Sequence, residues 1–319
     1  MMARFVEMGW AAWATLMVGF VSAGCSGGEG YVFADDRAVY RQFDGELAYA
    51  HVEKLVGFGP RPSGSPALEE SRQYLESVLD SVGWDVKRQA FESATPMGKV
   101  KFANLRARIR KGEQKADWDA GVSTVIGSHY DTKFFRRIEF VGANDGGSST
   151  GLLLELARVV AARQELAEEM ELVFFDGKEA FIAFTETDGL YGSREYGKMI
   201  RTFPEEIRPK FGIVFDMVGD TSLKLTLPTN SSRRIIGHLY SAADELGSRS
   251  SFGSQGGPIL DDHVPLENAG LEVIDIIDMD YSTWHTSGDT LEYVAPESLE
   301  IVGQAGLLMI EKYLLGSAD

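Results

Sequence analysis

Apolar residues along this chain fall into two patterns, short unbroken runs and longer stretches at helical spacing. Thr124–Ser128, Leu172–Phe175, Ile213–Met217 and Val273–Ile277 are short apolar runs, the length and character of strands buried on both faces. Between the first two, Ser148–Ala162 places Leu152, Leu153, Leu156, Val159 and Val160 on one helical face behind a Ser-rich N-cap. Upstream, Glu46–Leu55 reads as a short amphipathic helix, and Ala67–Val82 repeats Leu68, Tyr74, Leu75, Val78, Leu79 and Val82 at helical spacing. The segment Gly57-Phe58-Gly59-Pro60-Arg61-Pro62-Ser63-Gly64-Ser65-Pro66 between them is dense with turn formers. Val86–Phe91 and Ala103–Arg110 are strand candidates that suit a hairpin. Apolar strands separated by helices predict an α/β protein with helices on both faces of a sheet. No internal repeat interrupts the pattern, so residues 44–319 read as one domain.

The start of the chain follows a different pattern. Met8–Gly24 carries no charge and ends in Val21-Ser22-Ala23-Gly24-Cys25. The stretch is short for a transmembrane helix and suits the apolar region of a signal peptide over residues 1–24. Small residues directly before the single cysteine resemble a bacterial lipoprotein signal, with Ser22 standing where Leu is usual. That resemblance implies an exported protein, lipidated at Cys25, with residues 25–43 as a flexible tether to a membrane of the cell envelope, in the periplasm or at the cell surface. A plain secretory signal with an incidental buried cysteine is the alternative.

Composition narrows the function classes. The 319 residues are 44% hydrophobic and 25% charged, which excludes a disordered, collagen-like or polytopic membrane chain. One cysteine excludes an intramolecular disulfide framework and a Cys-rich zinc site. A formal charge of −17 argues against a nucleic-acid partner, because phosphate neutralisation needs a basic surface. It also argues against direct contact of the body with anionic membranes, leaving the lipid at Cys25 as the membrane link, and it favours cationic substrates or metal ions.

The chemistry follows the apolar runs. Ser128-His129-Tyr130-Asp131 ends the first and Phe174-Phe175-Asp176-Gly177-Lys178-Glu179-Ala180-Phe181 the second. Asp216 lies near the end of the third, and Trp284-His285-Thr286 comes after the fourth. Gly142-Ala143-Asn144-Asp145-Gly146-Gly147 leads into the helix between the first two. Ligands of open α/β sheets bind outside the carboxyl ends of the strands. His129, Asp145, Glu179, Asp216 and His285 would supply there the nitrogen and oxygen ligands of a zinc site without thiolate. Singly, each residue suits an ordinary helix cap or structural hydrogen bond. Their recurrence at successive strand ends favours a site.

Together with Leu190-Tyr191-Gly192-Ser193-Arg194, Asp261-Asp262-His263-Val264-Pro265 and the Gly59-Pro60-Arg61-Pro62 turn, these motifs resemble the M28 zinc-peptidase superfamily. Within it they are most similar to the glutaminyl cyclase (glutaminyl-peptide cyclotransferase) branch, over about residues 51–314. The resemblance implies a mixed, largely parallel twisted sheet with helices on both faces. It implies a single catalytic Zn2+ on Asp145, Glu179 and His285, and peptides or proteins with N-terminal Gln as substrates, cyclised to pyroglutamate with release of ammonia. Trp284 would wall the pocket, and Phe184 stands where the family often has Trp. Asp216 and Asp261 match acids of a hydrogen-bonded network beside the zinc that stabilises or relays the proton. His129, with Asp216, matches ligands of a second metal in the aminopeptidase branch, where two zinc ions are bound.

One position departs from the family. The residue before the zinc-binding Glu is there an acidic general base, and here it is Lys178. An ammonium has no lone pair to accept a proton, and it repels both zinc and a substrate ammonium. Three outcomes follow. Catalysis is weakened or lost while binding persists; the metal and burial depress the pKa of Lys178 until its neutral amine serves as base; or Lys178 points away, paired with Asp176 or another acid, while Asp261 carries the proton. The rival functions are a di-zinc M28 aminopeptidase and an inactive lipoprotein that binds peptide N-termini.

Overall fold

The computed structural model of the chain describes residues 38–254 and 257–316. The expected signal peptide, Cys25 and the tether as far as residue 37 lie outside the described residues. The last residues assigned to the tether do not behave as one. Val39 and Phe43 are buried, four residues apart at the ends of a 3-10 turn over Val39–Gln42, and the Phe43 ring fills the space above Gly303. Two apolar side chains at that spacing gain more from burial than a tether would from freedom, so the body begins before residue 44.

Helix α1 (Gly45–Val56) starts where Asp44 accepts hydrogen bonds from the amides of Glu46 and Leu47 at 2.9 and 3.2 Å. Helix α2 (Pro66–Ser81) starts at Ser65, whose hydroxyl accepts from Leu68 N, with Pro66 in the first turn. The hairpin β1 (Trp84–Thr95) and β2 (Gly98–Ile109) follows, longer than the two expected strands but in the expected places. Then come β3 (Thr124–His129), α3 (Ser149–Ala161), α4 (Gln164–Ala167), β4 (Met170–Phe175), α5 (Tyr191–Arg201) and β5 (Phe211–Asp216). The chain continues through β6 (Leu225–Leu227), α6 (Arg233–Glu245), β7 (Phe252–Ser254), α7 (His263–Glu267), β8 (Glu272–Ile277) and α8 (Pro296–Leu308).

Six strands form one sheet in the order β1-β2-β4-β3-β5-β8. The pairs β4/β3, β3/β5 and β5/β8 are parallel, while β1/β2 and β2/β4 are antiparallel. This is the mixed, largely parallel sheet expected from the sequence. Strands β6 and β7 form a separate parallel pair. The period of two sorts the apolar runs between the faces. Ile126, Leu172, Phe174, Ile213, Phe215, Ile274 and Ile276 join a core with α1, α2, α3, α6 and α8. Val125, Val173, Phe175, Val214 and Val273 pack under α5 and α7. With both faces covered, what remains open is the edge where β3, β4, β5 and β8 end, and the candidate residues follow those ends. No helix among the described residues is long and apolar enough to cross a membrane.

Candidate active site

His129 is the last residue of β3, Asp216 the last of β5, and Lys178 and Glu179 follow β4 by three and four residues. Asp145 arrives on the turn that leads into α3. Gly146 holds a left-handed backbone there (φ 78°), and a Cβ on it would lie 2.8 Å from the His129 ring and 2.9 Å from Asp131 O. Glycine is therefore what lets the turn approach β3. Two groups fix this turn. The buried Arg61 guanidinium donates to the carbonyls of Tyr130, Val141 and Gly142. The buried Asp289 carboxylate accepts from Asn144 N at 2.8 Å, Asp145 N at 3.1 Å and Tyr281 OH at 2.8 Å. On the opposite side Asp131 accepts from the amides of Lys178 and Glu179 at 3.1 and 3.2 Å, which anchors the β4 loop.

Asp145, Glu179 and His285 converge as expected. His285 Nε2 lies 3.3 Å from Asp145 Oδ2 and 3.4 Å from Glu179 Oε2. His285 sits at φ 55°, left-handed and unusual for a residue with a side chain; such strain costs on the order of 1–3 kcal/mol and persists where its surroundings over-determine it. A second group shares Asp145: His129 Nε2 is 3.2 Å from Asp145 Oδ1 and 3.2 Å from Asp216 Oδ1. Each trio brings one potential ligand atom per residue within 4.8 Å of the others. Both carboxylate oxygens of Asp145 and Oε2 of Glu179 are buried without a hydrogen-bond partner. Orphaned carboxylate oxygens facing imidazole nitrogens are what a divalent cation satisfies, so these residues fit a metal.

Lys178 enters this cluster. Its ammonium is 2.7 Å from Asp216 Oδ2, 3.5 Å from Asp261 Oδ2, 3.6 Å from Glu179 Oε1 and 4.0 Å from Asp145 Oδ1. The side chain therefore does not turn away toward Asp176. That carboxylate is engaged by Arg72 at 2.9 Å, by Ser63 Oγ and by Ala103 N. Burial alone would push the Lys178 pKa down, but Asp216, Asp261, Asp145 and Glu179 outweigh it and hold the amine well above its usual range. The surrounding carboxylates thus favour the ammonium form, opposing the burial that favours a neutral amine. Asp261 behaves in the opposite sense. Burial, reinforced by Asp216, Asp275 and Asp262 and opposed by Lys178, raises it well above the carboxylate range. Asp145 is shifted the other way: burial raises it, but Lys178, His129 and His285 hold it well below that range.

Trp284 is 38% exposed and stacks on the His285 ring at 4.2 Å between centroids, which places it at the mouth of the site. The half-buried Phe184 ring has the ammoniums of Lys178 and Lys133 at 5.8 and 5.6 Å from its centroid. Every candidate named from the sequence thus gathers at one edge of the sheet. Asp289 was not among them. Four residues beyond His285, it reads as an ordinary loop acid, and nothing in the local pattern announces that it is buried. Arg61 and Asp131 stood inside quoted motifs without a role.

The family model described as Peptidase family M28 matches residues 104–310, and the chain belongs to that family. Its relatives include proteins described as glutaminyl-peptide cyclotransferases and solved structures described as glutaminyl cyclases, beside a structure described as a zinc-dependent exopeptidase. A glutaminyl cyclase from an Acidobacteriales bacterium is 31% identical, with a TM-score of 0.75 over 85% of this chain and 94% of that one. The glutaminyl-peptide cyclotransferase-like protein of Mus musculus is 28% identical over 80% of this chain and 72% of its own length. A structure described as a Zn-dependent exopeptidase from Parabacteroides distasonis is 27% identical, with a TM-score of 0.74 over 84% of this chain and 98% of that one.

Proposed function

We propose that this chain is a zinc-dependent glutaminyl cyclase whose turnover is weakened by Lys178. It would close the N-terminal glutaminyl residue of a peptide into pyroglutamate and release ammonia. The convergence of Asp145, Glu179 and His285, with buried carboxylate oxygens left unpartnered, carries the reading. A zinc ion held by these three would supply Lewis acidity toward the glutamine γ-carbonyl. The acidic crevice suits a cationic peptide N-terminus. Trp284 and Phe184 flank the site and would hold the aliphatic part of the glutamine side chain against the metal trio. Ring closure is intramolecular, so positioning by these walls supplies part of the rate.

Proton transfer is where this chain differs. Closing the lactam removes one proton from the α-amine, and the departing nitrogen takes one up. Lys178 cannot accept it while cationic, and Asp216 is engaged by the Lys178 ammonium. Asp261, whose carboxyl is held well above the usual range by burial and its acidic neighbours against the pull of Lys178, would donate to the leaving nitrogen and recover the proton from the amine. General acid–base catalysis is worth about 10²–10⁴ in rate, so an indirect route through Asp261 leaves the metal and positioning terms intact but slows turnover.

Mass spectrometry of a Gln-initiated peptide after incubation with the zinc-loaded protein tests the reading. Cyclisation leaves the peptide at full length with ammonia lost, whereas loss of the first residue would make the chain an aminopeptidase. A bound but unaltered peptide would make it a binding protein. We further propose, from the residues before Cys25, that the protein is exported and anchored at its lipidated N-terminus. Metabolic labelling with a fatty-acid analogue, abolished by Cys25→Ala, tests that.

A further inference from the structure

A groove beside the candidate active site carries the opposite charge from the chain as a whole. Residues of α5 and of the segment from Leu260 to Asn268 line a cavity of about 390 Å³ there, within the about 300–1,000 Å³ of small-ligand sites. Its apolar lining is Leu190, Val264, Pro265 and Leu260, the last 46% exposed. Arg194, Lys198 and Arg201 line it from α5, and at i, i+4 and i+7 they form one stripe of that helix. Seven residues at about 1.5 Å each make the stripe about 10 Å long, the span of about three extended residues. Arg194 donates to the carbonyls of Thr185 and Glu186, and Arg201 to that of Asn268 at 3.5 Å. Those acceptors are neutral and leave the two charges uncompensated. Lys198 has Glu195 at 3.1 Å, an exposed pair of little worth. Glu186 is the acid in the lining, so cations prevail in the groove of a chain whose formal charge is −17.

The backbone joins this groove to the site. Thr185 directly follows Phe184, and Leu260 directly precedes Asp261, whose carboxylate is 3.5 Å from Lys178 Nζ. Arg194, bonded to Thr185 O at 2.7 Å, begins the stripe at that end. We propose that the groove receives the segment of the substrate peptide that follows its N-terminal glutamine, and that it selects acidic residues there. The inference rests on the cyclase reading of the adjoining site. A peptide held by its first residue beside Phe184 has to run out over the surface. Between Phe184 and Asp261 it meets apolar side chains and then a row of guanidinium and ammonium groups, which carboxylates complement. The preferred substrate then carries a cationic amine at its end and carboxylates a few residues on.

The test compares two C-terminally amidated peptides, Gln-Ala-Asp-Asp-Asp-Ala and Gln-Ala-Asn-Asn-Asn-Ala. Calorimetric titration of the zinc-loaded protein in low salt reads their affinities, and mass spectrometry reads their products. The acidic peptide should bind about two- to thirtyfold tighter, which is what two exposed ion pairs are worth. The preference should shrink at about 1 M salt and vanish in Lys198→Glu/Arg201→Glu, or in Lys198→Gln/Arg201→Gln if the charge reversal does not fold. Equal binding of the two peptides would overturn the inference and leave the active site standing. So would an acidic preference that survives the double variants. An N-acetylated acidic peptide that competes as well as the free one would also overturn it, because the groove would then capture acidic chains independently of the site. If neither peptide is bound or cyclised, the cyclase reading falls and the inference with it.

Discussion

Lys178 Nζ and Asp216 Oδ2, 2.7 Å apart, form the shortest ion pair of the site and join the ends of two strands, β4 and β5, that are not neighbours in the sheet. Strand β3 runs between them and ends in His129, which holds the other oxygen of Asp216 at 3.2 Å. Asp216 is therefore held by two nitrogens, Lys178 Nζ from the loop after β4 and His129 Nε2 from the end of β3. Burial would raise its pKa, but Lys178 and His129 lower it below the usual carboxylate value. In this arrangement the Asp216 carboxylate is committed to neutralising a lysine.

Replacing His285 by Ala should reduce zinc affinity by at least roughly a hundredfold. Removal of a residue that merely orients a metal ligand already costs about 10–100-fold, and His285 is the one imidazole within reach of both Asp145 and Glu179 in its trio. Competition with a chromogenic chelator measures it. Unchanged affinity would place the ion elsewhere.

Replacing Trp284 by Ala should weaken binding of a Gln-initiated peptide about two- to tenfold, in line with about 0.5–1.5 kcal/mol for a lost ring contact, with zinc content unchanged. Trp284 stacks on His285 and is partly exposed, so it can be removed without opening the core. Calorimetric titration of the zinc-loaded variant checks this, and equal affinities would make the ring merely a cover for His285.

The stability of the fold should depend on pH through His51. Burial lowers its pKa from the usual 6.5 to about 4, and Nδ1 meets the Tyr74 hydroxyl at 2.6 Å. The unfolded chain then binds the extra proton between these values, so stability from the neutral ring is whole above about pH 6.5 and is lost as pH falls toward about 4. At about 1.4 kcal/mol per pH unit the loss is at most about 3 kcal/mol. Urea unfolding of wild type and His51→Gln at pH 7.5 and 4.5 should give a larger drop for the wild type. Equal drops would show that the ring is not held neutral.

The strands and the candidate residues at their ends were legible because one apolar run both builds a central strand and marks where it stops. Helices with a single buried face, such as α2, were legible for the same reason. Helix α8 is buried along Leu299, Val302, Gly303, Ala305, Gly306, Leu307 and Leu308, and its polar stripe of Glu297, Glu300 and Gln304 ends before the last turn, so its period is weak in the sequence. The Ser-rich start of α3 was read as a cap. Ser148 instead donates to Asn144 O and accepts from Val218 N, tying two loops together. The direction of Lys178 could not be read locally, because it is set by Asp216 on β5 and Asp261 beyond it, carboxylates that are near only after folding. Asp289 escaped notice on the same ground.

The most direct test compares the rate of pyroglutamate formation from a Gln-initiated dipeptide by the zinc-loaded wild type and its Lys178→Glu variant. Slow turnover by the wild type and a gain of about 10²–10⁴ in the variant is the expected result, the magnitude of a restored general base. A wild type that turns over as fast as the variant would contradict the account, because Lys178 would then impose no cost on proton transfer.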